Sequence, residues 1–242
     1  MVERDLFPRD DVLAAEKEEL PRALTLPVHH HHRQRKAESR CVDGPAARRL
    51  LAAMKSPGFV AYVEAVTGLS GLQTDDTNFW AGLHANGRAA FSSLHRDFPV
   101  HPVTKKWHRA NALLFLNSDW RDAYGGDLEV WTPDAKTCGD RIKPDAGTLV
   151  IFETHTGTVH GIDQVRCPPE RMRLSLAAYF YSDEPPPGSL AEPRFRRPRR
   201  PQDPWWIAVP DVFELARIIV DPLSERVPAA ARAVNALRAR RG

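Results

Sequence analysis

From about residue 78 to residue 182 the chain reads as short runs of alternating apolar and polar residues separated by turn residues, which predicts strands. The runs are 78–85, 89–95, 109–117, 126–131, 147–153, 157–162 and 171–182. Short strands without interleaved long helices indicate a sandwich or closed barrel, not a doubly wound parallel sheet. Upstream the apolar spacing becomes helical. A short helix is expected at 11–20, and two more at 45–56 and 57–68, each opening on a proline (Pro45, Pro57). Phe59, Val60, Val63 and Val66 form an apolar stripe on the last of these. Two further helices are expected at 211–220 and 228–240, beyond a stretch rich in Pro and Arg. The expected organisation is an irregular extension over 1–40, a β domain with its preceding helices over 41–184, and a linker with C-terminal helices packing on the same domain over 185–242.

Composition narrows this picture modestly. Among 242 residues, 42% are hydrophobic and the formal net charge is +3, which suits one soluble core and argues against nucleic acid as a general partner. From Ala191 onward there are eleven Arg against six acidic residues, read as a solvated helix face. Cys41, Cys138 and Cys167 are scattered and odd in number, so reduced thiols in a cytoplasmic protein are expected. No run of about 20 apolar residues suggests a membrane helix. The run His29 to His32 is read as a loop, because neighbouring side chains cannot all face one ion.

The candidate chemistry starts at His95-Arg96-Asp97. Residues two apart on a strand share a face, so an imidazole and a carboxylate project together while Arg96 points away. Alone this is weak: Asp97 could simply accept a hydrogen bond from His95. A second imidazole, His160, sits on a separate predicted strand. Two histidines and one carboxylate supply one face of an octahedron and leave the other open, as in non-haem iron sites, although zinc tolerates the same ligands. In 171–182 alternation sends Met172, Leu174, Leu176, Ala178 and Phe180 to a helix-covered face. Arg171, Arg173, Ser175, Ala177, Tyr179 and Tyr181 go to the other. An inward arginine needs an anionic partner, and a bound carboxylate would provide it. The residues at 101–109 (His101, Lys105, Lys106, Trp107, His108, Arg109) are either a substrate-recognising mouth or an exposed basic loop. Trp80 and Tyr179 are candidate pocket residues, while Trp120, Trp131, Trp205 and Trp206 are read as packing.

Taken in order, the blocks at 95–98, 112–131, 142–161 and 171–181 resemble the iron(II)/2-oxoglutarate-dependent oxygenase superfamily in its prolyl-hydroxylase-like branch. The resemblance covers roughly Asn78 to Ser182 and implies a double-stranded β-helix, a cupin-like jelly roll. It implies iron at His95, Asp97 and His160, and 2-oxoglutarate held by Arg173, with Ser175, Asn111, Leu113 and Phe115 lining its pocket. Arg171 is the rival to Arg173. Gly125-Gly126 matches the family's tight turn. Where many relatives carry a tyrosine whose hydroxyl binds the same carboxylate, this chain has Phe115. The implied activity is hydroxylation of an unactivated C–H bond in an amino acid, an amino-acid-derived metabolite or a peptidyl residue. Succinate and CO2 are released, with O2 as co-reactant and ascorbate as an accessory reductant. The carboxylate at Asp97 argues against halogenation, while desaturation and cyclisation stay open. Two competing readings are an oxidative nucleic-acid demethylase and a catalytically idle jelly-roll binding module. The first is disfavoured because Tyr179 stands where that branch has a second arginine. Oligomeric state is open.

Overall fold

A computed structural model describes residues 1–31, 34–154 and 158–186, without the side chains of 29–34. The expected C-terminal helices, Trp205, Trp206 and the Arg-rich segment lie outside the described residues. In chain order the elements are β1 (Val2–Arg4), α1 (Arg9–Ala23), β2 (His29–His31), β3 (Gln34–Ser39), α2 (Pro45–Met54), α3 (Pro57–Thr67), β4 (Gln73–Thr74) and β5 (Gly82–Asn86). They continue with β6 (Phe91–His95), β7 (Trp107–Phe115), β8 (Leu128–Trp131), β9 (Cys138–Ile142), β10 (Thr148–Glu153), β11 (Val159–Ile162) and β12 (Arg173–Ser182).

The strands pair antiparallel in the order β1-β10-β7-β12-β5-β3-β6-β11-β8-β9, with β2 on β3 and β4 on β12. The sheet curls, because side chains from its two halves meet inside. Asn111 on β7 bonds Asp97 beyond β6, Phe152 on β10 packs against His160 on β11 at 4.8 Å, and Arg173 on β12 reaches the Gly126 carbonyl before β8. This is the expected double-stranded β-helix.

Alternation along the strands divides the core in two. Leu174, Leu176, Ala178 and Phe180 of β12, with Ala110, Ala112 and Leu114 of β7, pack under the helices against Val12, Leu50, Met54, Phe59 and Val63. Each fully buried aliphatic or aromatic side chain here contributes about 1.5–3 kcal/mol through apolar burial. Leu113, Phe115, Val150, Phe152 and Ala177 form a second cluster inside the barrel. The stripe on α3 is narrower than expected: Phe59 and Val63 are buried, but Val66 is exposed.

The first 40 residues are not an irregular extension. β1 pairs with β10, α1 packs on α2, and β3 bridges the two halves of the sheet by pairing with both β5 and β6. Residues His29–His31, expected as loop, pair with β3. Acidic residues of α1 also start α2, whose N-cap, Gly44, has no side chain of its own. Glu19 Oε1 accepts the Asp43 and Gly44 N–H groups at 2.7 Å each, and Glu18 Oε2 accepts that of Ala46 at 2.9 Å. No helix among the described residues is long and apolar enough to cross a membrane. The three cysteines are free thiols, with Cys167 buried.

Candidate metal and oxo-acid site

The antiparallel register of β6 and β11 sets His95 directly opposite His160. Their rings lie 4.3 Å apart, and each Nε2 is 3.6 Å from Asp97 Oδ1. β6 ends at His95, so Asp97 belongs to the extended segment beyond the strand, not to the strand itself. The two-residue spacing still turns it inward, while Arg96 turns away to donate to the Pro133 carbonyl. At 3.6 Å neither imidazole donates a normal hydrogen bond to the carboxylate, which removes the simple pairing as the reason for the motif. The ligand atoms of all three residues lie within 4.8 Å of one another, and this is the group of His, Cys, Asp and Glu among the described residues that could hold a metal ion.

Protonation suits that use. His95 Nδ1 lies 2.9 Å from the Ser93 carbonyl, which only accepts, so Nδ1 donates there and Nε2 is the nitrogen that faces inward. Burial holds His160 down to about 4, outweighing the attraction of Asp97, so its imidazole is neutral at neutral pH. Burial alone would raise the Asp97 carboxyl, but His160 and His95 outweigh it and hold the group well below the usual carboxylate range.

Arg173 is 1% exposed and faces the same interior. Its Nε donates to the Gly126 carbonyl at 2.5 Å, its guanidinium lies 4.7 Å above the Phe115 ring, and its buried Nη2 has no hydrogen-bond partner. Burial lowers it to about 10, with Asp127 opposing, so it remains a cation at neutral pH. An unpartnered buried donor on a cation is costly and fits a site made for a carboxylate. Gly125 and Gly126 both have positive φ, 58° and 78°, and a Cβ on Gly126 would sit 3.1 Å from Arg173 Cδ, so the tight turn is also the arginine's seat. Phe115 offers no hydroxyl to a carboxylate; its ring instead stacks on the guanidinium that would hold one. Ser175, beside Phe115 in the β7–β12 register, and Leu113 are buried on the interior side. Asn111 also faces inward, but its amide is committed to Asp97 and His108.

Other expectations are corrected. Arg171 does not share the interior face, because β12 starts at Arg173; Arg171 donates to the Ser118 carbonyl and lies 3.7 Å from Glu16 of α1. The 101–109 segment is exposed only at 102–105, so it is not basic and open along its whole length. His101 and His108 are fully buried, Lys106 binds Gln73 and Asp183, and Arg109 donates to Ser182 and the Glu184 carbonyl. Trp80 packs on Phe98 at 4.2 Å and lines a cavity of 210 Å³ with Glu38, Arg40 and Ala81. A larger cavity of 360 Å³, bordered by Arg4, Arg9 and Lys143, shares no residue with the triad. Trp120 and Trp131 are buried packing residues, as expected.

Sequence reasoning missed a group on β3 and β5. Ala37 and Ala85 belong to the helix-side core, so alternation turns Lys36, Glu38 and His84 into the barrel. Lys36 pairs with Glu38 at 2.7 Å, and His84, held down by burial, sits 6.5 Å from Tyr179. The signal was present in the polar–Ala–polar alternation of 36–38.

Residues 81–181 match the 2OG-Fe(II) oxygenase superfamily. No curated protein sequence matches significantly. Among solved structures, a Pseudomonas putida prolyl-4-hydroxylase is 22% identical at a TM-score of 0.55, over 75% of this chain and 91% of that one. A prolyl 4-hydroxylase from Phytophthora capsici is 17% identical at 0.57, over 81% of this chain and 62% of that one. A Trichoplax adhaerens prolyl hydroxylase in complex with a hypoxia inducible factor peptide fragment is 14% identical at 0.52, over 76% and 83%. At these identities the likeness is one of fold, and it agrees with the match of residues 81–181 to the 2OG-Fe(II) oxygenase superfamily, which supports a dioxygenase that takes ferrous iron and 2-oxoglutarate.

Proposed function

We propose that His95, Asp97 and His160 hold the ferrous ion and that Arg173 holds the distal carboxylate of 2-oxoglutarate. The domain then hydroxylates an unactivated C–H bond of an amino acid, an amino-acid-derived metabolite or a peptidyl residue. The observation that carries this reading is one interior holding both three converging ligand atoms and a buried cation with an unpartnered donor. When bound, the iron supplies O2 activation coupled to decarboxylation of the oxo acid. One oxygen atom goes to the substrate and one to succinate, with CO2 released. The chain's own part is position and charge: two imidazoles, one carboxylate and one arginine, beside the rings of Phe98, Phe152 and Tyr179. The prolyl-hydroxylase fold supports a prolyl or other amino-acid-derived target, while the interior Lys36–Glu38 pair suits a polar substrate.

The test is succinate release by the iron-loaded protein against free amino acids, proline-containing peptides and methylated oligonucleotides. Hydroxylated product equimolar with succinate is expected from an amino acid or peptide. Turnover confined to methylated nucleic acid would establish the demethylase reading. Absence of both iron binding and turnover would establish the idle barrel.

A further inference from the structure

The two oxygens of Asp97 have different surroundings. Oδ1 faces the two Nε2 atoms at 3.6 Å, whereas Oδ2 accepts a 2.6 Å hydrogen bond from Asn111 Nδ2. That bond fixes the amide, since a flipped Asn111 would set its oxygen against the carboxylate. Asn111 Oδ1 therefore points at His108 Nε2, 2.7 Å away, and accepts a hydrogen bond from its N–H. His108 is fully buried and clamped between rings: Phe98 stacks on it at 4.6 Å and Tyr181 at 5.1 Å. Phe98 directly follows Asp97, so the clamp and the carboxylate are neighbours in the chain. Burial lowers the His108 imidazole, which keeps it a neutral donor.

We propose that Asn111 and His108 are positioning residues for the metal site. Asn111 occupies Asp97 Oδ2 so that the carboxylate binds metal through Oδ1 alone, and His108 locks the amide in the orientation this requires. The inference rests on the proposal that the triad holds the ferrous ion. Its consequence is geometric. A carboxylate with both oxygens free can chelate a metal, taking a position that an oxo acid or O2 needs. A carboxylate tied at one oxygen leaves that position open. Partners of metal ligands typically carry about 10- to 100-fold in metal affinity.

The test uses anaerobic Fe2+ titration of the full chain, followed by 2-oxoglutarate titration of the iron-loaded protein, with thermal unfolding of each metal-free variant as a control. The variants are Asn111→Ala, His108→Phe, the double variant, and His160→Ala. Asn111→Ala should weaken Fe2+ binding by about 10- to 100-fold and weaken 2-oxoglutarate binding as well. His108→Phe keeps the ring stack and should act in the same direction but less. The double variant should match Asn111→Ala within about twofold, because His108 acts through Asn111. Single variants that bind both ligands like the unmodified chain, or effects that add in the double variant, overturn the proposal. If Asn111→Ala fails to fold, His108→Phe decides alone: unchanged iron affinity overturns the relay. Iron bound normally by His160→Ala would instead refute the triad itself. Loss there with full affinity in Asn111→Ala and His108→Phe refutes the relay only.

Discussion

Replacing Arg173 by Met removes the guanidinium while keeping a long side chain in its place. Arg173 is 1% exposed and its Nη2 has no partner. An unmet buried donor costs about 1–3 kcal/mol, and a hydrogen bond to a charged group contributes about 1.5–3 kcal/mol. A carboxylate that both satisfies the donor and pairs the charge should therefore gain about 3 kcal/mol from Arg173, or about 150-fold in 2-oxoglutarate affinity. The metal-free variant loses the bond to Gly126 and the contact with Phe115, but also sheds a poorly paired buried charge, so its stability should stay within about 1 kcal/mol. The assays are anaerobic calorimetric titration of 2-oxoglutarate into metal-loaded protein and urea unfolding of the metal-free form. Iron affinity should be unchanged. A 2-oxoglutarate affinity within threefold of the original, together with a stability loss of about 3 kcal/mol or more, would show that Arg173 is a structural residue held by Gly126 and Phe115 alone.

Other consequences can be checked alongside. Gly126→Ala forces a left-handed backbone and sets Cβ 3.1 Å from Arg173 Cδ, so it should cost about 1–2 kcal/mol in urea unfolding and also raise KM for 2-oxoglutarate. Phe115→Tyr supplies the absent hydroxyl and should tighten 2-oxoglutarate severalfold while making the ligand-free protein slightly less stable, since the buried O–H then lacks a partner. His160 is held at about 4 in the fold against 6.5 in the unfolded chain. Between those values the unfolded state binds the extra proton, so metal-free stability should fall as pH drops from about 6.5 to about 4, and urea midpoints of His160→Asn should show a flatter slope.

The convergence of His95, Asp97 and His160 and the inward position of Arg173 were legible because their information is local: a two-residue spacing, one histidine on a later strand, and an arginine on the more polar face of a strand whose other face is apolar from Leu174 to Phe180. Seven of the eight strands from β5 to β12 were legible for the same reason; β9, with the mostly polar sequence CGDRI, was not. Nor was β3. Its residues are mostly polar, and it becomes a strand because β5 and β6, far along the chain, offer it both edges. His108 was likewise read as a loop residue, since nothing beside it in the chain announces that Phe98 and Tyr181 enclose it. Arg171 and Arg173 could not be separated by alternation alone. The start of β12 separates them, and the contacts of Ser118 and Glu16 with Arg171 confirm it.

The most direct test of the central claim is anaerobic titration of Fe2+ into the metal-free protein and into His160→Ala, with the thermal midpoint of each recorded. One tight site in the original chain and none in a folded His160→Ala is the predicted result. A folded variant that takes up iron as tightly as the original would contradict the assignment of the metal to His95, Asp97 and His160.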